Sequence, residues 1–182
     1  MAALRAAPEW RIQHWFNVKA PLSVAALRGK VIFVTAFQML CPGCVSHGLP
    51  QAMRARAAFD AGDLAVVGLH TVFEHHAAQG GRTPLAAFLH EQRIDFAVGV
   101  DAPADGGVPL TMRAYQMQGT PTTILIDRNG MLRMQKFGHL DDILLGASIQ
   151  ALIDESSDAG VSNAAATGCS ADRCAAPPVA EK

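Results

Sequence analysis

Two cysteines stand three positions apart in the stretch FQMLCPGC, which runs from Phe37 to Cys44. Thiols at this spacing can close a disulfide, hold a metal ion or pack as buried free side chains. The pair follows an apolar run and precedes a helical pattern that starts at Pro42. At a helix start, unpaired N–H groups and the helix dipole stabilise a thiolate and lower its pKa. The sequence therefore predicts Cys41 as a nucleophile and Cys44, one turn further on, as the thiol that resolves a mixed disulfide.

A second cysteine pair, Cys169 and Cys174, lies near the C-terminus. Four cysteines in two short pairs are too few for a secreted disulfide scaffold. In a reducing compartment such pairs are more often catalytic or metal-binding than structural. We predict that Cys169 and Cys174 form a redox relay with the first pair. A zinc site made of all four thiolates is the metal-binding alternative.

Histidines supply a candidate base. His47 stands one helical turn after Cys44, and histidine is the side chain best suited to exchange protons near neutral pH. Because burial raises the pKa of a thiol, a base is useful there, and His47 is predicted to deprotonate Cys44. A histidine that is merely exposed on the helix surface is the alternative.

The remaining histidines are predicted to have no catalytic role. His70, His75 and His76 cluster in GLHTVFEHH, but no Cys or Asp neighbours them at ligand spacing. We therefore predict a solvated loop there and neither a metal nor an organic cofactor. Surface positions are expected for His14, His90 and His139.

Length and composition favour one globular domain. The chain has 182 residues, 50% of them hydrophobic, and a formal net charge of −1. This charge gives no electrostatic attraction to nucleic acid. The N-terminus lacks the apolar core of a secretory signal, and no apolar run is long enough for a transmembrane helix. We expect a cytoplasmic protein with no membrane span and no nucleic acid partner.

Alternating strand and helix patterns are expected to position the cysteines. The nearly all-apolar run from Gly29 to Phe37 predicts a central strand buried on both faces, and Asp63 to His70 predicts another. Further strands are predicted at 9–14, 95–101, 122–126 and 131–137, the last two as a hairpin. Helices are predicted from Pro42 to near Gly62, from an N-cap at Thr83 to about Gln92, at 109–117, and from Leu140 to Asp154. This order predicts a mixed β-sheet flanked by helices on both faces.

A change in composition follows the last predicted helix. Residues 155–182 are small and polar, with almost no large apolar side chain to bury. We predict a flexible N-terminus at 1–8, one domain at 9–154, and a flexible tail at 155–182 that carries Cys169 and Cys174.

Several motifs, taken in order, resemble the thioredoxin-like fold, and within it the TlpA/ResA-like redoxins often grouped with the AhpC/TSA proteins. They are PLSVAALRGKVIFVTAF leading into CPGC, LAVVGLHT, FAVGVD and GTPTTILIDRNGMLRMQKFGH. The resemblance implies an α/β fold with a sheet of four or five strands, and a cis peptide bond before Pro121. That bond would lie opposite the cysteines, so Thr120, Pro121 and Pro42 are expected to bind an extended substrate peptide.

The same resemblance implies a thiol-disulfide oxidoreductase that acts on a protein or low-molecular-weight disulfide, with a separate thiol reductant or oxidant. Three positions depart from the family. Leu40 stands where an aromatic residue usually precedes the first cysteine, Thr35 replaces the buried Asp of thioredoxins, and His47 replaces a frequent Glu. These departures leave the direction of electron flow open.

A peroxiredoxin-like thiol peroxidase is the alternative enzyme. The segment PGCV resembles the peroxidatic segment of some peroxiredoxins, with Cys44 as the attacking thiolate. That chemistry needs a Thr or Ser three positions earlier, and a Pro four positions before that. This chain has Cys41 and Phe37 at those places.

Overall fold

The computed structural model describes residues 5–155 of the chain. Its strands are β1 (Arg5–Ala6), β2 (Ile12–Phe16), β3 (Val31–Phe37), β4 (Leu64–His70), β5 (Ala97–Asp101), β6 (Thr122–Ile126) and β7 (Met131–Phe137). They form one sheet in the order β1-β7-β6-β3-β4-β5-β2. β3 pairs in parallel with β4 and antiparallel with β6, so the mixed sheet that the sequence predicts is confirmed.

Helical segments cover this sheet. After a 3₁₀ turn at Ala25–Leu27 and a π-helical turn at Cys44–Gly48, the α-helices are α1 (Leu49–Ala58), α2 (His76–Gln79), α3 (Arg82–Glu91), α4 (Leu110–Ala114) and α5 (Asp142–Asp154). Within the described range, none of these helices is long and apolar enough to cross a membrane.

The central strand β3 separates two cores, because all of its side chains are buried and alternate between the faces of the sheet. Val31 and Phe33 pack on the face that carries apolar residues of α1, α3 and α5. Ile32 and Val34 pack on the opposite face, with Met112 of α4. The sheet is therefore buried on both sides at the strand that leads into the cysteines.

Two edge strands enlarge the sheet to seven, where the resemblance implied four or five. β2 pairs with β5, and β1 pairs with β7. Arg5–Ala6 cover the open edge of β7, and the flexible N-terminus predicted for 1–8 stays a prediction. Ala7 extends this edge, with its N–H donating to Gly130 O at 2.9 Å. The limits 9–154 and 155–182 stay predictions.

The start of α3 differs from the prediction by two residues. Gly81 is the N-cap, in extended conformation, and as a glycine it supplies no side-chain cap. Thr83, predicted as the N-cap, lies inside the first turn. The last helix does have a side-chain cap, because Asp141 Oδ1 accepts hydrogen bonds from Ile143 N and Leu144 N.

Candidate active site

Cys41 and Cys44 form a disulfide where β3 leads into the first helix. Their Cα atoms are 5.2 Å apart, within the range that a disulfide requires. The two sulfur-bearing side chains differ in exposure: that of Cys41 is partly exposed, whereas Cys44 is fully buried in the core beneath α1. Only Cys41 is therefore open to a large partner.

The backbone around Cys41 has the geometry of a helix N-terminus. Its carbonyl accepts from Cys44 N at 3.0 Å and from Val45 N at 3.1 Å, so the first intrahelical bonds begin here. The Cys44 N–H also points at Cys41 Sγ, with a separation of 3.2 Å. An N–H group and the helix dipole aimed at this sulfur would stabilise its thiolate once the disulfide is reduced.

The segment before β6 lies against the disulfide. The Thr120–Pro121 peptide bond is cis, and Cys41 Sγ lies 3.5 Å from the carbonyl oxygen of Thr120. Two glycines let the helix approach Pro121. A Cβ added at Gly43 would come within 3.4 Å of Pro121 Cδ, and one at Gly48 would come within 3.1 Å of Pro121 Cβ.

His47 is exposed on the helix beside the disulfide. Ser46 Oγ donates to Pro42 O at 2.8 Å and lies 2.7 Å from His47 Nδ1. Because the hydroxyl has a single proton, both contacts are satisfied together only if Nδ1–H donates to Ser46 Oγ. That tautomer leaves Nε2 as the basic nitrogen of a neutral His47 ring. No hydrogen bond among the described residues joins His47 to either cysteine sulfur.

The sequence predicts His139 as an ordinary surface residue, but the structure brings it to the site. Its ring centroid lies 5.0 Å from that of His47, with the two planes 71° apart. His139 follows β7, which ends beside the Pro121 segment, since Gly138 N donates to Pro121 O at 2.8 Å. No local pattern around His139 could have indicated this neighbour, because the contact joins segments far apart in the chain.

The residues that differ from the family pattern lie at different places around the disulfide. The side chain of Leu40 is 55% exposed next to Cys41. Thr35 is buried in β3, and its Oγ1 lies 3.5 Å from the place where a Cβ of Gly48 would be. Pro42 is exposed in the first turn, in the position that a proline tolerates best.

Two further sets of candidate residues have different outcomes. The solvated loop predicted for GLHTVFEHH is wrong at His70, which ends β4 and is buried against Phe37. His75 and His76 are exposed. Cys169 and Cys174 lie outside the described residues. Within residues 5–155, no group of three or more His, Cys, Asp or Glu side chains could hold a metal ion.

The comparisons with known proteins agree with this geometry. No family model matches the chain, and no curated protein matches it. Among solved structures, a thioredoxin-like superfamily protein is 57% identical, with a TM-score of 0.82, over 85% of this chain and 99% of that chain. A thiol-disulfide isomerase from Corynebacterium glutamicum is 44% identical, with a TM-score of 0.78, over 82% of this chain and 98% of that chain.

A more distant structure shares the fold. StoA from Bacillus subtilis is 16% identical, with a TM-score of 0.59, over 78% of this chain and 96% of that chain. At this identity the likeness shows the fold alone. Together these structures confirm the fold class that the sequence motifs indicate.

Proposed function

This chain belongs to the thioredoxin-like superfamily and is a thiol-disulfide oxidoreductase, and from that premise we propose how its residues divide the reaction. In the dithiol form, the Cys41 thiolate attacks one sulfur of a substrate disulfide and releases the other as a thiolate. The Cys44 thiolate then attacks Cys41 Sγ, which breaks the mixed disulfide and frees the second substrate thiolate. The substrate has gained two electrons, and a separate thiol reductant returns the Cys41–Cys44 disulfide to the dithiol.

One observation carries this division of roles, namely the asymmetry of the disulfide. Cys41 Sγ is partly exposed and receives the Cys44 N–H at 3.2 Å, whereas the Cys44 side chain is buried. An exposed, stabilised thiolate suits attack on an incoming disulfide, and a buried neighbour suits attack on the adjacent sulfur.

We assign substrate contact to the residues around the exposed sulfur. Thr120 and Pro121 are partly exposed beside Cys41 Sγ, and Pro42, which follows Cys41 in the chain, is exposed. Backbone groups of Thr120 would pair with an extended segment of the substrate protein. The exposed side chain of Leu40 adds an apolar contact next to the reacting sulfur.

Alkylation of the reduced protein tests the assignment of the two cysteines. At neutral pH we expect Cys41 to react with iodoacetamide at least about tenfold faster than Cys44, because only Cys41 is both exposed and close to a helix N–H. Cys44→Ser should trap a mixed disulfide with a disulfide-containing peptide, and Cys41→Ser should form none. Equal labelling rates, or faster labelling of Cys44, would overturn the assignment.

The peroxidase alternative requires Cys44 to meet peroxide first. Its complete burial opposes that role, as does the presence of Cys41 where a peroxide-orienting hydroxyl is needed. Consumption of hydrogen peroxide by the reduced protein, measured against an ordinary free thiol, separates the two enzymes. A rate well above that of the free thiol would favour the peroxidase.

Partner and location remain proposals. We propose a protein or low-molecular-weight disulfide as substrate and a separate thiol reductant or oxidant, without nucleic acid. The cytoplasmic location stays a prediction, which cell fractionation would test.

The reduction potential of the Cys41–Cys44 couple would show the direction of electron flow between this protein and its partners. A reduction potential near or below that of the glutathione pool indicates a reductase, and a potential of about −120 mV indicates an oxidant.

We also propose that Cys169 and Cys174 exchange disulfides with the Cys41–Cys44 pair. Cys169 stands 15 positions after Asp154 in the sequence, and a coil of that length would span roughly 20 Å. A domain of this size has a radius of gyration near 15 Å, so the reach is sufficient. Tethering also raises the local thiol concentration to about the millimolar range.

A trapping experiment tests this relay. In Cys44→Ser, mild oxidation at low protein concentration should yield an intramolecular disulfide from Cys41 to Cys169 or Cys174, identified by peptide mapping. If only intermolecular dimers or free thiols appear at 169 and 174, the relay is wrong. The assignment of Cys41 and Cys44 would stand without it.

A further inference from the structure

Two buried amide side chains, Gln38 and Gln79, hold the residue that precedes Cys41. Gln38 is 1% exposed and Gln79 is 0% exposed. Gln79 Oε1 accepts from Leu40 N at 3.1 Å, and its Nε2 donates to Gln38 Oε1 and to Glu74 O, both at 2.9 Å. Gln38 Oε1 also accepts from Phe73 N at 3.4 Å, and its Nε2 donates to Glu74 Oε1 at 3.3 Å. The polar atoms of both amides therefore have partners.

The direction of these bonds explains the choice of amides. A chain of donors runs from the Leu40 N–H through Gln79 and Gln38 to the carboxylate of Glu74. Each amide in this chain accepts at its oxygen and donates at its nitrogen. A hydrocarbon could do neither, and an ionised carboxylate could not donate, so an amide suits both positions.

The segment held by this chain is the turn that delivers the nucleophile. Cys41 N donates to Gln38 O at 3.3 Å, which closes a four-residue turn between β3 and the helix. Because more than half of the Leu40 side chain is exposed, packing contributes little to holding this residue in place. Its N–H donates to Gln79, which lies at the end of α2 and ties this residue to a second element.

We propose that Gln79 and Gln38 are positioning residues for Cys41, and that they set the rate at which its sulfur attacks a disulfide. They act through the Leu40 backbone, which keeps Cys41 Sγ between the Cys44 N–H at 3.2 Å and the Thr120 carbonyl at 3.5 Å. Displacement by about 1 Å can cost a reaction roughly 100-fold. The inference rests on the proposed role of Cys41, and it makes the end of α2 part of the redox site.

Gln79→Leu removes the acceptor for Leu40 N with little change in side-chain size. We expect attack of the reduced protein on a disulfide-containing peptide to slow by about 10- to 100-fold. The matched control is Gln51→Leu, because Gln51 is also buried and donates to Leu140 O and Asp142 Oδ1, both at 2.7 Å. This control should lose stability in chemical denaturation but keep the wild-type rate.

The double variant Gln38→Leu/Gln79→Leu separates positioning from stability. The hydrogen bond between Gln79 and Gln38 is lost in each single variant, so the double variant should lose less stability than the sum of the two single losses. The rate should stay as low as in Gln79→Leu, because the Leu40 N–H still lacks its partner. A rate that follows stability across the single and double variants, or a control that slows equally, would overturn the positioning role. A wild-type protein without disulfide exchange would instead overturn the proposed function.

Discussion

At the scale of single residues, the site contains a histidine pair that only the folded chain assembles. His47 was predicted as the base for Cys44, and its ring lies against Ser46 and His139 on the exposed side of the helix. Because the Ser46 contact leaves Nε2 as the basic nitrogen, His47 retains the capacity to accept a proton near the buried thiol. Its catalytic role remains a prediction.

Replacing the imidazole tests that role. In His47→Ala we expect resolution of the mixed disulfide by Cys44 to slow by about tenfold or more, since that step needs a thiolate at a buried sulfur. The first attack by Cys41 should change little. Stopped-flow measurement of the two phases separates these steps.

His90→Ala is the matched control, because His90 is exposed on α3 and makes none of the contacts described around the disulfide. It should leave both phases at wild-type rates. If resolution in His47→Ala also keeps its wild-type rate, His47 is a surface residue without a part in the reaction. His139→Ala would then show whether the neighbouring ring matters by itself.

At the scale of elements, the site depends on how closely the first helix approaches Pro121. Gly48 has ordinary helical dihedral angles, with φ of −60° and ψ of −50°, so its backbone conformation does not require glycine. The requirement is space, because a Cβ there would lie 3.1 Å from Pro121 Cβ. A proline ring has little freedom to move away.

Gly48→Ala and Gly146→Ala form a matched pair of helical substitutions. At Gly146 in α5 a Cβ meets nothing within 4 Å, so alanine should raise the free energy of unfolding by about 0.5–1 kcal/mol. At Gly48 the crowding against Pro121 should instead lower it by about 1–3 kcal/mol and slow disulfide exchange. Chemical denaturation and the exchange assay measure both effects. Equal stabilisation of the two variants would show that Pro121 yields easily.

At the scale of the whole molecule, two histidines lie in a row across three strands. Val100 of β5 pairs with His14 of β2 on one side and with His70 of β4 on the other. Both ring nitrogens of His70, and Nε2 of His14, are buried without a hydrogen-bond partner among residues 5–155. Burial, and then the neighbouring His14, lower the pKa of His70 to about 4. Burial and the charge of Arg82 lower the pKa of His14 as well.

The buried histidines in this row predict that acid begins to destabilise the fold at a higher pH than protonation of the carboxylates would. The unfolded chain takes up a proton on His70 as the pH falls below the ordinary histidine pKa of 6.5. The folded protein does so only when the pH reaches about 4. Stability is therefore unaffected by His70 above pH 6.5 and falls between these two values. The loss amounts to about 3 kcal/mol at most.

Denaturation curves at several pH values check this prediction. In His70→Leu the free energy of unfolding should fall less steeply with acid than in the wild type, because no buried imidazole remains to be protonated. His90→Leu, which changes an exposed histidine, should keep the wild-type dependence. Identical pH profiles for all three proteins would show that His70 takes up its proton as easily in the folded state.

Local patterns predicted most of the strands and helices and the reacting pair. The apolar run before Phe37 predicts a strand buried on both faces, and the structure confirms it. The spacing of Cys41 and Cys44 at a strand-to-helix junction predicts the disulfide that forms there. These features follow from the sequence because side-chain periodicity and helix-terminus electrostatics act over a few neighbouring residues.

Only the tertiary structure decided which distant residues come together. The short β1 strand, the contact of the His139 ring with His47 and the bond from Leu40 to the Gln79 amide all join segments separated by many residues. An edge strand, a lone histidine and a lone glutamine each look like ordinary surface residues in a local pattern. Their roles appear only when sheet pairing and helix packing bring the chain together, because that proximity comes from the whole core and not from the neighbouring sequence.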